Sequence, residues 1–246
     1  MKKSIFITGS TKGIGKAIAV EALKADYYVY LNYVHDDVGA QACADHLINM
    51  GYDDCFKIIK ADVSHTDSIP AILEQMDLES HPLHGLVLNS SSNGKTRNPF
   101  GKITPEEMDT MFQMNLFTPF FLVQSLVEYM ADGGSIAFIS SNVGIYPHST
   151  YIPYGLTKAS EVFLARMLVK ELADRKITVN TVAPAFIETD MFPGNRTEEH
   201  LNNIRRKVAV HRFGQPEEVA RATMSLLTNP YINGAVLSVD GGYNFE

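Results

Sequence analysis

Seven short runs of apolar, β-branched and aromatic residues recur along the chain: SIFIT (4–8), YVYLNY (28–33), FKIIKA (56–61), GLVLN (85–89), SIAFIS (135–140), ITVNTVA (177–183) and AVLSV (235–239). Each but the last is followed by a stretch with helical spacing of apolar positions. Strands alternating with helices predict repeated β-α-β units and a mostly parallel sheet with helices on both faces. The runs are nearly continuous in apolar residues and do not alternate with polar ones, which fits strands covered on both sides. Long helices are expected around 104–130 and 153–174. The least regular region is PAFIETDMFPGNRTEEH (184–200), which reads as a loop or short helices lying over something.

The remaining composition narrows the function classes. At 246 residues with 45% hydrophobic and 20% charged, the chain reads as one α/β domain, residues 1–246, able to bury its own core. The formal charge is −7 and the 21 basic residues are scattered, so no cationic stripe is available to follow a nucleic acid backbone. Cys43 and Cys55 form no CxxC pair and have no ligand-like histidine spacing, so both are expected to be passive packing in a reduced compartment, and no metal is expected. The opening MKKSIFITGS has too short an apolar run for the core of a signal peptide, and no run of about 18 apolar residues occurs. The expectation is a cytoplasmic protein without a membrane segment.

In a parallel sheet of this kind ligands sit beyond the carboxyl ends of the strands. After the first run, TGSTKGIGKAIA places Gly9, Gly13 and Gly15 between a strand and a helix. Glycines let the backbone approach a pyrophosphate closely, and a helix N-terminus offers unpaired N–H groups. The spacing is neither a Walker phosphate loop, since Ala17 follows Gly15-Lys16, nor the GxGxxG fingerprint.

A second feature carries chemistry. In YIPYGLTKA (151–159), Tyr154 and Lys158 are four apart and share one helix face. Hydride reduction of a ketone needs an acid for the developing alkoxide, and a phenol beside an ammonium can serve. Bringing a phenol from about 10 to neutrality takes roughly 4 kcal/mol, more than an exposed ion pair supplies, so desolvation and the helix N-terminus near Pro153 must contribute. Tyr151 precedes the helix and reads either as pocket lining or as a packed aromatic. Ser141, at the end of the fifth strand, can donate to a substrate oxygen, with Ser140 as the alternative. Asn115, read from the residues alone, is a buried amide bonding nearby backbone.

These motifs together resemble the classical short-chain dehydrogenase/reductase family: TGxxxGxG after the first strand, YxxxK at Tyr154 and Lys158, a serine thirteen residues before that tyrosine, the asparagine of FQMNLF, ADV at 61–63, VNTVAP at 179–184 and DGGY at 240–243. The resemblance covers essentially the whole chain. It implies a single-domain, Rossmann-type doubly wound sheet and a catalytic set of Asn115, Ser141, Tyr154 and Lys158. In that set Asn115 sits at a helix kink with a water-mediated link to Lys158. It further implies a nicotinamide dinucleotide at Gly9, Thr11, Lys12, Gly13, Ile14 and Gly15, with Asp62 and Val63 at the adenine. Asn89 is retained from the family's turn after the fourth strand, Pro184, Ile187 and Thr189 lie along the nicotinamide, and a loop at about 184–208 covers the substrate. A homotetramer packed through the two long helices is also implied.

The resemblance points to NADP. Tyr33 stands where NAD-using members place a carboxylate, Lys12 matches the basic residue of NADP-using members, and Asn32 and Tyr33 could add hydrogen bonds. Lys12 read alone is also an ordinary surface lysine, and Asp36 and Asp37 lie near enough to soften the preference. Two departures mark the chain: Ser90 and Ser91 replace the family's Ala-Gly, and Ala185 replaces a glycine. KGIGKAIA, VYLNY, VNTVAPAFIETDM and RFGQPEEVA most resemble bacterial 3-oxoacyl-[acyl-carrier-protein] reductases. The expected substrate is a 3-keto thioester borne by an acyl carrier protein, from fatty-acid, polyketide or related lipid synthesis. Arg175 matches a docking arginine there, but its partner position holds Asp132, with Lys176 as a substitute. A dehydrogenase of a sugar or small alcohol is the alternative, and a non-catalytic cofactor-binding protein the remaining one.

Overall fold

The computed structural model describes residues 2–94, 98–147, 152–189, 192 and 196–243. Its seven strands are β1 (Ser4–Ile7), β2 (Tyr28–Tyr33), β3 (Phe56–Lys60), β4 (Leu83–Leu88), β5 (Met130–Ile139), β6 (Thr178–Pro184) and β7 (Val236–Val239). All pair in parallel in one sheet ordered β3-β2-β1-β4-β5-β6-β7. The order reverses between β1 and β4, which opens a crevice above their carboxyl ends.

Alternate residues of each strand feed opposite cores. Ile5, Ile7, Val29, Leu31, Val87 and Ala137 pack under α1 (Gly13–Lys24), α2 (Asp37–Asn49) and α8 (Pro216–Thr228). Phe6, Tyr30, Leu86, Ile136 and Phe138 pack under α3 (Ile69–Gln75), α5 (Thr118–Leu126) and α6 (Ile152–Glu171). Both faces are thus apolar, which is why the strands carry no polar alternation. The chain is a single doubly wound domain. No helix among the described residues is long and apolar enough to cross a membrane.

Two expectations change in detail. β5 begins at Met130, ahead of the expected 135, because Met130 pairs with Leu83 before a bulge through Gly133 at φ +77° restores register at Ser135. The helix expected over 104–130 is divided into α4 (Pro105–Phe112), a π-turn at Gln113–Phe117 and α5. Pro119 has no N–H to give the carbonyl four residues back, that of Asn115, and the wider turn accommodates the missing bond. The region read as a loop or short helices, covering about 184–208, holds α7 (Glu198–Lys207), capped by the Thr197 hydroxyl. Cys43 is buried under α1 and Cys55 half-buried beside it, both as free thiols.

Candidate active site

A cavity of about 820 Å³ lies above the carboxyl ends of the central strands. Gly9, Lys12, Gly13, Ile14, Asp62, Val63, Asn89, Ser141, Tyr154, Pro184, Ile187 and Thr189 all line it. Thr11, Gly15, Asn32, Tyr33, Asn115 and Lys158 do not.

The glycine turn has the shape of a cradle. Gly9 and Gly13 hold φ of +59° and +54°, where a side chain is strained. A Cβ on Gly15 would stand 2.4 Å from the Gly9 carbonyl oxygen and 2.7 Å from Asn89 Nδ2, so the turn closes on α1 only because that atom is missing. Lys12 precedes α1 in extended conformation with no side-chain cap, leaving the helix's first N–H groups to a ligand. This geometry fits a dinucleotide pyrophosphate.

Asn32 lies beneath the turn. Fully buried, it accepts from Gly9 N–H (3.2 Å) and donates to the Ala61 carbonyl (2.9 Å), tying β1 to β3. Asn32 thus supports the turn from beneath. Tyr33 is likewise outside the lining: its hydroxyl donates to Asp37 (2.7 Å), which is paired with Lys60 (2.6 Å). The lysine and then the tyrosine hold the Asp37 carboxyl below its ordinary range, while that same carboxylate raises the Tyr33 phenol. Asp62 is pushed up by burial, but the Ser64 hydroxyl (2.6 Å) and N–H (2.9 Å) outweigh this and keep it below its ordinary value.

The turn after β4 explains how Ser90 is accommodated. Asn89 Nδ2 donates to the carbonyls of Thr8 (3.0 Å) and Gly9 (2.9 Å), and Ser90 N–H donates to Thr8 Oγ1 (2.9 Å). Ser90 Oγ lies against Gly9, so close that a Cβ there would meet it at 2.7 Å. Serine at 90 therefore depends on glycine at 9.

The two candidate serines are separated by their partners. Ser140 is buried and donates to the Lys158 carbonyl (2.8 Å). Ser141 lines the cavity with Tyr154, its oxygen accepting a long bond from Val143 N–H (3.4 Å). Gly144 lets this corner pack on α6, where a Cβ would stand 2.6 Å from the Lys158 carbonyl carbon.

Asn115 sits in the π-turn, completely buried. It accepts from Ser92 N–H (2.9 Å) and donates to the Ser92 carbonyl (2.8 Å) and Thr157 Oγ1 (3.1 Å). The expected kink is present, and the amide reaches the residue beside Lys158 directly. Asn115 thereby clamps the wall segment after β4 to α6.

Lys158 also lies behind the cavity wall. Its Nζ is 5.8 Å from the centre of the Tyr154 ring and donates to the Ile139 carbonyl (3.0 Å) and both carboxylate oxygens of Glu161 (2.9 and 3.0 Å). The two side chains are 1% and 4% exposed. Burial raises Glu161 to about 7, with Lys158 and Ser140 opposing the rise. Sequence reading missed Glu161, since a carboxylate three residues after a lysine ordinarily signals an exposed helix pair.

The far wall was also unforeseen. Arg196 and four residues of α7, His200, Asn203, Ile204 and Lys207, line the cavity beside Phe186 and Phe192. The only carboxylate in the lining, among the described residues, is Asp62 on the other side, after β3. Tyr151 lies outside the described residues. Arg175, the expected docking residue, is engaged within the chain: it donates to Asp132 (2.9 Å), to the Val127 carbonyl (2.6 Å) and to the Met130 carbonyl. Because Asp132 faces it, this guanidinium fastens the turn after α6 to the start of β5. No cluster of potential metal ligands occurs among the described residues.

A parallel sheet with this reversal, a glycine cradle and a tyrosine–lysine helix define a nucleotide-binding oxidoreductase fold. The family model described as Enoyl-(Acyl carrier protein) reductase matches residues 9–244, and the chain belongs to the short-chain dehydrogenase/reductase family. A short chain dehydrogenase of Claviceps purpurea is 33% identical over 260 residues, covering 98% of this chain and 95% of that relative. A 3-oxoacyl-[acyl-carrier-protein] reductase of Staphylococcus aureus is 31% identical over 247 residues, covering 98% of each. Among solved structures, a Serratia marcescens short-chain dehydrogenase/reductase superposes with TM-score 0.89 at 28% identity, covering 98% of this chain and 97% of that one. A Burkholderia cenocepacia short chain dehydrogenase in complex with NADP also gives 0.89, at 25% identity and 98% coverage of both.

Proposed function

We propose that the protein is an NADPH-dependent ketoreductase that converts a 3-oxoacyl thioester to the 3-hydroxyacyl form. The observation that carries this reading is that the Tyr154 and Ser141 side chains line the same cavity as the glycine cradle. NADPH, when bound there, supplies the hydride. Ser141 donates a hydrogen bond to the substrate carbonyl, Tyr154 delivers the proton to its oxygen, and Lys158 biases the phenol electrostatically. Asn115 holds the wall after β4 in place behind them. The preference for the phosphorylated cofactor is supported by Lys12 in the lining, by the diversion of Asp37 to Lys60, and by the NADP complex of the Burkholderia relative.

The substrate class is supported by the relatives' names and by the cationic side chains of Arg196 and Lys207 on this wall, which suit the phosphate of a pantetheine arm. Carrier delivery through Arg175 is not part of this proposal, given its internal bonds. That engagement is what favours the second reading, a dehydrogenase of a small free ketone or alcohol.

The test is cofactor oxidation with acetoacetyl-CoA, the corresponding N-acetylcysteamine thioester, and free ketones and sugars. Turnover of both thioesters, with NADPH preferred to NADH and that preference falling about tenfold or more in Lys12→Glu, is expected. Turnover of ketones or sugars alone would replace the thioester with the second reading.

A further inference from the structure

The Lys158–Glu161 pair is the one buried ion pair among the described residues, and it occupies a residue the proposed reaction needs. A lysine ammonium has three N–H donors. Here the Ile139 carbonyl and the two Glu161 oxygens take all three, at 3.0, 2.9 and 3.0 Å. Lys158 is absent from the cavity lining, although Tyr154, one helical turn before it, is present. An ammonium so held has no donor left for a ligand in the cavity.

We propose that Glu161 is a positioning residue that holds Lys158 behind the cavity wall, and that cofactor binding draws the ammonium off as the carboxylate takes up a proton. This rests on the dehydrogenase reading above. The balance is simple: above pH 7 the free protein carries ammonium and carboxylate, one proton enters from solvent, and the bound state would carry ammonium turned to the cofactor and a neutral carboxylic acid. Without that proton the departure of Lys158 would strand a carboxylate in an apolar site, which is costly.

The surroundings allow this exchange. From β5, Glu161 meets Ser140, which moderates its rise, and β5 also supplies the Ile139 carbonyl on Lys158. β6 brings only Thr178–Pro184, which includes no ionisable side chain, and the turn at Asn142–Gly144 brings none. On α6 the ionisable neighbours are Tyr154 and Lys158, with Arg166, Lys170 and Glu171 farther along the helix. The acids of α4, Glu106, Glu107 and Asp109, are not among the groups that act on Glu161. Lys158 is thus the one charged partner whose departure changes the carboxyl's environment, and burial already places Glu161 at about 7 with the lysine present.

The experiment is calorimetric titration of NADPH into wild type and Glu161→Gln at pH 8 in buffers of differing ionisation enthalpy, with the dissociation constant followed from pH 6 to 9 by nicotinamide fluorescence. Wild type is expected to take up a substantial fraction of a proton on binding, and its affinity to fall several-fold as pH rises above 7. In Glu161→Gln the uptake is lost and the affinity becomes nearly flat and tighter at pH 8. Should that variant fail to fold, the wild-type proton uptake alone decides. Binding with no proton uptake and the same pH profile in both proteins would overturn the inference while leaving the dehydrogenase reading intact. No NADPH binding at all would overturn both.

Discussion

At the scale of single residues, the pair at 158 and 161 separates what spacing reveals from what burial reveals. Tyr154 and Lys158 were legible because a shared helix face follows from sequence separation alone. Glu161 has an equally readable spacing, but its meaning depends on desolvation, which arises only when α6 packs on β5. Removing the carboxyl outright in Glu161→Ala leaves Lys158 buried without a counter-charge and is expected to cost about 3–5 kcal/mol in denaturant unfolding. The pH dependence has a definite sign. Glu161 is raised from its ordinary value to about 7 in the fold, so the unfolded chain releases a proton that the folded chain keeps. The carboxyl's favourable contribution is complete at pH below the unfolded value and is lost as pH rises toward 7. The stability of wild type relative to Glu161→Gln should therefore decline across this window, as measured by paired urea unfolding from pH 4.5 to 7.5.

At the scale of elements, the seven strands were visible as continuous apolar runs, and their ends were misplaced only where a bulge or pairing outside the run decided them, as at Met130. The division of the 104–130 helix follows from Pro119, a residue whose consequence is local and could be read in advance. The role of Asn115 is not local: its partners Ser92 and Thr157 are 23 and 42 residues away in sequence. Asn115→Leu would leave the Ser92 N–H and carbonyl without these partners, at about 1–3 kcal/mol each, and would loosen the wall segment. It should lower both the melting temperature and the affinity for NADPH. α7 was legible only as a loop or short helices because just two of its residues, Leu201 and Ile204, are buried apolar anchors. Lys207→Ala should raise KM several-fold for acetoacetyl-CoA and leave the N-acetylcysteamine thioester nearly unchanged, as read by steady-state kinetics.

At the scale of the molecule, the π-turn, α5 and α6 leave apolar side chains that a lone chain would expose: Phe117, Phe120, Phe121, Leu156, Phe163 and Met167, with Phe163 at 66%. Exposed apolar side chains of this kind on two helices fit association with further copies of the same chain. The homotetramer expected from the family resemblance would cover them, and Phe163→Asp combined with Phe121→Asp should reduce the mass measured by light scattering after size exclusion. The sheet order, in contrast, needs no partner, since both faces are covered within one chain. The cavity lies at the reversal of that order, which is why residues as distant as Gly9, Ser141 and Thr189 converge on it.

In the proposed reaction, hydride reaches a carbonyl whose oxygen is protonated by Tyr154. Its most direct test supplies NADPH deuterated at the nicotinamide C4 with a 3-oxoacyl thioester, to wild type and Tyr154→Phe, and follows product deuterium by mass spectrometry and NADPH binding by fluorescence. Deuterium at C3 of the 3-hydroxyacyl product from wild type, with turnover reduced at least a thousandfold in a variant that still binds NADPH, is the predicted result. Undiminished transfer by Tyr154→Phe, or no transfer by wild type to any carbonyl, would contradict it.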